Sequence, residues 1–161
     1  MDEFATELER ARTLPAYDAF NALWTALVRL SNRENAPSEH KRLLDLVGRL
    51  SLQKVQQILE SPAVHFLASL DPPLETVQTS PHEELRADEV ARAFDIIKRS
   101  SFCDPQVALK ALGEVLKIIR NKREHGFKSA DPETRDGKIL RAGRDILEML
   151  CVELLPVISA V

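Results

Sequence analysis

Arg120 and His125 stand out in this chain as residues whose types and setting point to chemistry rather than to packing alone. They belong to the run Ile118-Ile119-Arg120-Asn121-Lys122-Arg123-Glu124-His125-Gly126-Phe127-Lys128, which has the form R-N-x-x-x-H-G. Ala108, Leu112, Leu116 and Arg120 fall at successive i+4 positions, so on a helix the guanidinium continues an apolar row. A charge in that place is expensive unless something pairs with it. It also falls in the last turns of its helix, where the negative end of the dipole favours a cation. His125 follows five residues later, about 140° further round a regular helix, so the two do not share a face while the helix stays ideal. Gly126 is placed to end the helix in the left-handed conformation. A turn there swings His125 back towards Arg120, or towards the same motif in a second chain.

The charges around this pair favour an anionic ligand. Lys117, Arg120, Lys122, Arg123 and Lys128 are opposed only by Glu124 within the stretch, whereas the whole chain carries a formal charge of −3. A basic cluster in an otherwise acidic protein is a local landing point for phosphates, and contact with nucleic acid must then be local rather than spread over the surface. The plain alternative is a basic helix C-terminus stabilised by its dipole, with His125 as a capping donor. Spacing alone does not decide between them. Arg33 and His40, with six residues between them in a polar stretch, share the bare pattern and carry no functional weight.

The elements that must position this pair are helices. Leu, Ala, Glu, Arg and Lys dominate, only five glycines are present, and no strand-type alternation is found. With 161 residues, 44% of them apolar, the chain has the size of one domain spanning 1–161 with a real core. Ser61-Pro62, Ser80-Pro81, Asp104-Pro105 and Asp131-Pro132 each set a capping side chain before a proline suited to the first helical turn. Ser80 and Glu83 have the spacing of a capping box. Helices are expected at 3–13, 15–30, 38–50, 51–60, 62–70, 81–99, 104–125 and 133–156. Apolar stripes are clearest in three of them. They run through Leu85, Val90, Phe94 and Ile97, through Ala108, Leu112, Val115 and Ile119, and through Ile139, Ile146, Leu147, Leu150 and Leu154. The two long helices after residue 104 are joined by a short loop and should pack antiparallel, with two more closing an up-and-down bundle and short helices added. Residues 71–79 form a surface connection, and the apolar tail from Leu154 to Val161 is expected to pack on the core or on a partner chain.

Other chemistry is poorly supported. His40, His65, His82 and His125 are scattered without metal-ligand spacing, so no metal site is expected. Cys103 and Cys151 lack a CxxC partner and read as reduced thiols. Trp24, among Phe20, Leu23 and Leu27, reads as core packing, and His65 as a half-buried histidine. The acidic start MDEFATELER is unlike a signal peptide, and no apolar run is long enough to span a membrane, so a cytoplasmic protein is expected.

The stretch around Arg120 resembles the HEPN superfamily (higher eukaryotes and prokaryotes nucleotide-binding), whose signature is Arg, four to six residues, then His, usually with a polar residue after the arginine. Here that polar residue is Asn121. The run Asp104-Pro105, Ile119-Arg120-Asn121, His125-Gly126, Lys128-Ser129, Asp131-Pro132 and Arg135-Asp136 is similar to a group of small bacterial HEPN proteins, and Phe20-Asn21-Ala22-Leu23-Trp24 is similar to their early helix. The resemblance is good over about 104–156, moderate over 17–32 and weak between. It implies a helical bundle that dimerises with two motifs facing each other, and a metal-independent endoribonuclease without cofactor, acting on RNA in toxin or phage-defence settings. It further implies that His125 moves a proton at the ribose 2′-hydroxyl or the leaving oxygen and that Arg120 stabilises charge on the scissile phosphate. Asn121 would orient the arginine or the phosphate, and Lys122, Arg123 and Lys128 would hold flanking phosphates. A cognate antitoxin or other partner protein belongs to the same picture. The alternative within the resemblance is a non-catalytic module for RNA or nucleotide binding or for dimerisation.

Overall fold

The computed structural model describes residues 2–70, 92–93, 95–99, 104–125, 131 and 133–159, with residues 121–125 described as helical backbone. Within these the protein is all-helical, and no strand is present. The helices are α1 (Asp2–Arg12), α2 (Ala16–Ser31), α3 (Glu39–Val47), α4 (Leu52–Leu59), α5 (Pro62–Ala68), α6 (Pro105–His125) and α7 (Arg135–Ser159). Residues 92–93 and 95–99 are helical as well, while the other residues of the helix expected over 81–99, the connection at 71–79 and the Ser80–Glu83 capping box lie outside the described residues. None of the described helices is long and apolar enough to cross a membrane.

Side-chain caps punctuate the chain much as its sequence suggests. Ser61 accepts from the Val64 backbone N–H, with Pro62 at the first helical position. The Asp104 carboxylate accepts from Val107 N–H at 3.4 Å. Ser38 and Ser51 cap α3 and α4 in the same way, accepting from Lys41 and Lys54, without a following proline. The Asp131 device works differently. Its carboxylate accepts from Glu133 N–H at 3.0 Å inside a turn, and the hydroxyl of Thr134 accepts from Gly137 N–H at 3.1 Å. The helix therefore begins at Arg135 rather than 133, because Thr134 takes the capping position.

One buried cluster among the described residues draws side chains from all seven helices. Every residue of the two apolar stripes expected in α6 and α7 is within it. α7 is the central element. Its most extensive neighbour is α2, and it also touches α1, α4, α5 and α6. The two long helices touch each other, and among the described residues α2 takes the larger share of α7. The tail continues helically past Pro156 to Ser159, and Leu155, Val157 and Ile158 pack against the chain's own core. Burial of those apolar groups offsets the backbone hydrogen bond that proline removes.

The tightest approach between elements is at Gly143 on α7. A Cβ built there would lie 2.9 Å from Phe20 Cε2 of α2 and 3.2 Å from two atoms of Ile119 on α6. Phe20 and Ile119 are both fully buried, so neither can swing away into solvent. Gly143→Ala should therefore lower stability by about 1–3 kcal/mol, the usual cost of overpacking a core, despite alanine's better helix propensity. A reduced urea midpoint with an unchanged slope is the expected result.

Candidate functional site

Ala108, Leu112 and Leu116, the three residues that precede Arg120 on its row, are buried. Arg120 itself is half-buried. Its guanidinium carbon lies 5.7 Å from the centroid of the Trp24 ring, within the range of a cation–π contact. Trp24 in turn stacks on Phe20, with centroids 6.3 Å apart and planes inclined by 7°. Phe20 and Trp24 are one helical turn apart on α2, which places both rings on one side of that helix. The result is a tier that starts in the core at Phe20 and ends at the guanidinium. It answers the requirement set by the apolar row: the arginine is held against an indole face. Trp24 is therefore partly what its neighbours suggest, a packed aromatic, and partly a shelf for Arg120. Its Nε1 is buried with no acceptor among the described residues.

α6 continues as regular helix through His125. Positions 120 and 125 are accordingly about 140° apart around the axis and about 7.5 Å apart along it. Along this regular helix the two positions lie on different faces of α6, and the turn expected at Gly126 falls outside the described residues. Positions 121, 122 and 123, with Asn121, Lys122 and Arg123, occupy the turn between them. Gly126 and Lys128 lie outside the described residues, as does Cys103.

Beside Arg120 the four helices α2, α3, α6 and α7 enclose a pocket of about 370 Å³. Trp24, Leu27, Leu43, Leu112 and Leu147 contribute apolar walls, and Glu39, Lys117 and Arg120 supply the charges. Neither this pocket nor the Trp24–Arg120 contact is visible along the chain, since residues 24 and 120 meet only when α2 and α6 are both packed on α7. The available signal was the pairing of an i, i+4 aromatic step on one helix with an arginine on an apolar row of another.

Two other residues behave differently from each other. His65, expected to be half-buried, is exposed, because α5 turns Val64 and Leu67 inward and position 65 falls outside their arc. Cys151 is a free, fully buried thiol, pushed up to about 12 chiefly by burial and further by the nearby charge of Glu148. No group of three His, Cys, Asp or Glu side chains among the described residues is arranged to hold a metal. Comparison with protein-family models, with curated proteins and with solved structures finds no match for this chain.

Two outcomes follow from these contacts. A double-mutant cycle on Trp24→Leu and Arg120→Met should give a coupling of about 0.5–2 kcal/mol in unfolding free energy, as expected for a partly desolvated cation–π pair. Strict additivity would remove the pairing. For Cys151, the folded chain keeps a proton that the unfolded chain releases once the pH passes an ordinary thiol's value of about 8.5. Stability should thus be insensitive to this group below that pH and fall as pH rises towards 12. Denaturation of wild type and Cys151→Ala across this range checks the sign, the variant showing the shallower alkaline decline.

Proposed function

We propose that the protein is a metal-independent endoribonuclease of the HEPN type, acting as a homodimer in a toxin or phage-defence role. The observation that carries this reading is Arg120. Its guanidinium lies against the Trp24 ring on half-buried Arg120, in the C-terminal half of α6, with Asn121 next to it and His125 further along the same helix. Holding an arginine in place before substrate arrives is what electrostatic stabilisation of a phosphate in flight demands.

In the proposed reaction the imidazole of His125 takes the proton of a ribose 2′-hydroxyl. The 2′-oxygen then attacks the adjacent phosphorus, the bond to the 5′-oxygen breaks, and that oxygen leaves with a proton supplied by a His125 imidazolium. The products are a 2′,3′-cyclic phosphate and a 5′-hydroxyl. Arg120 faces the charge that builds on the non-bridging oxygens, Asn121 orients arginine or phosphate, and Lys122, Arg123 and Lys128 take flanking phosphates. The angular separation of positions 120 and 125 favours a composite site, with the arginine of one chain working beside the histidine of its partner. In an isologous dimer each motif would contact its own copy.

A second reading is favoured by the same tier. An arginine lying over an indole already has a structural task, which suits a non-catalytic module that binds RNA or nucleotides or only dimerises. Cleavage assays separate the two. Purified protein should cut RNA in excess EDTA, and Arg120→Ala or His125→Ala should lower the rate by at least about a hundredfold, the usual contribution of a general acid–base or charge-stabilising group. Mixing the two inactive variants should restore part of the activity if the site spans the dimer. RNA bound without cleavage by wild type would favour the second reading, and cleavage that survives both substitutions would overturn the first.

A further inference from the structure

We infer that the pocket between α2, α3, α6 and α7 binds a small amphipathic carboxylate, with an aliphatic chain held among the leucines and the carboxylate at Lys117. The volume of about 370 Å³ lies within the range of small-molecule sites, about 300–1,000 Å³. Its walls are dominated by Leu27, Leu43, Leu112, Leu116 and Leu147, side chains that select for hydrocarbon. The polar groups are few and unequal. Among the described lining residues two cations, Lys117 and Arg120, stand with one carboxylate, Glu39, in a chain that is negative as a whole. Lys117 is exposed and forms no ion pair with a described residue, so its ammonium is available to a ligand. Hydrocarbon walls with a cation at one side are complementary to a fatty carboxylate rather than to a neutral alkane or an amine.

Gly113 supplies a second, independent observation. It lies in the interior of α6, where glycine is costly relative to alanine because it loses more backbone freedom on folding. At Gly143 that cost is explained by the neighbouring side chains that a Cβ would strike. At Gly113 it is not, since a Cβ would meet only Leu44 Cδ2 at 3.7 Å, an ordinary contact. Helix packing does not require a glycine at 113. What its missing side chain leaves open is pocket volume, because Gly113 is one of the lining residues.

Trp24 lines the same pocket and is the sole tryptophan of the chain, so its fluorescence reports occupancy directly. Titration of the full chain with hexanoate, octanoate and decanoate should change the emission saturably. Affinity should rise about fourfold per added methylene until the pocket is full, the factor expected for burying one CH₂. Lys117→Glu should weaken decanoate by about tenfold and leave decanol unaffected. Gly113→Leu, which places four carbons in the pocket, should abolish binding of both, whereas Gly113→Ala should keep binding and raise the melting temperature. Circular dichroism of each variant separates loss of binding from loss of fold, and the alcohol–acid comparison in Lys117→Glu stands even if Gly113→Leu does not fold. Equal affinity for decanol and decanoate in wild type would overturn the carboxylate assignment. Absence of saturable binding, or binding indifferent to a folded Gly113→Leu, would overturn the site, and the apolar walls would then be left to a segment of a second copy. The proposal does not depend on the ribonuclease reading, because the titration uses no RNA.

Discussion

At Gly143 the backbone of α7 passes so close to Phe20 of α2 and Ile119 of α6 that a single added carbon would lie within 2.9 Å of the first and 3.2 Å of the second. Those two contacts locate everything that matters for the site. Phe20 is one turn before Trp24 on α2, and Ile119 directly precedes Arg120 on α6. Once α7 has drawn both helices against the same point, the indole and the guanidinium are brought to 5.7 Å. The position admits only a hydrogen in place of a side chain, so the geometry is set by packing and not by the polar groups that exploit it.

Arg120 is then an instance of a charge placed where hydrophobic patterning would put a leucine. Ala108, Leu112 and Leu116 beneath it are buried. The ring face of Trp24 is one of the contacts that offset the cost of a charge there. The proposed function gives such a cation a task at an anion as well as a place in the packing. This is why the arginine, rather than the basic residues around it, carries the functional reading.

The pocket beside the tier follows from the same arrangement. α3 packs on α2 and α6 and does not approach α7 as closely as those two do at Gly143, and the gap remains where α3 meets α6 beside Gly113. Trp24 and Arg120 form one wall of that gap as well as the end of the stack. Gly143 and Gly113 thus have opposite consequences. Gly143 closes a contact that no other residue allows, and Gly113 leaves space that another residue would fill.

Helix identity was written into the chain locally. The apolar stripes of α6 and α7 and the caps at Ser61 and Asp104 act within a few residues, through hydrogen bonds and side-chain periodicity that need no distant partner. Arg120, too, was conspicuous from the row it interrupts. The start of α7 shifted because two candidate caps, Asp131 and Thr134, compete within four residues, and the turn at Asp131 leaves the first helical hydrogen bonds to Thr134. What the sequence did not disclose is which helices meet. An amphipathic stripe states that a face is buried without naming its partner, since hydrophobic attraction is non-directional and any apolar face satisfies another. The tertiary packing, with its close approach at Gly143, brings α2 against α7 and Trp24 against Arg120 and leaves the pocket beside them.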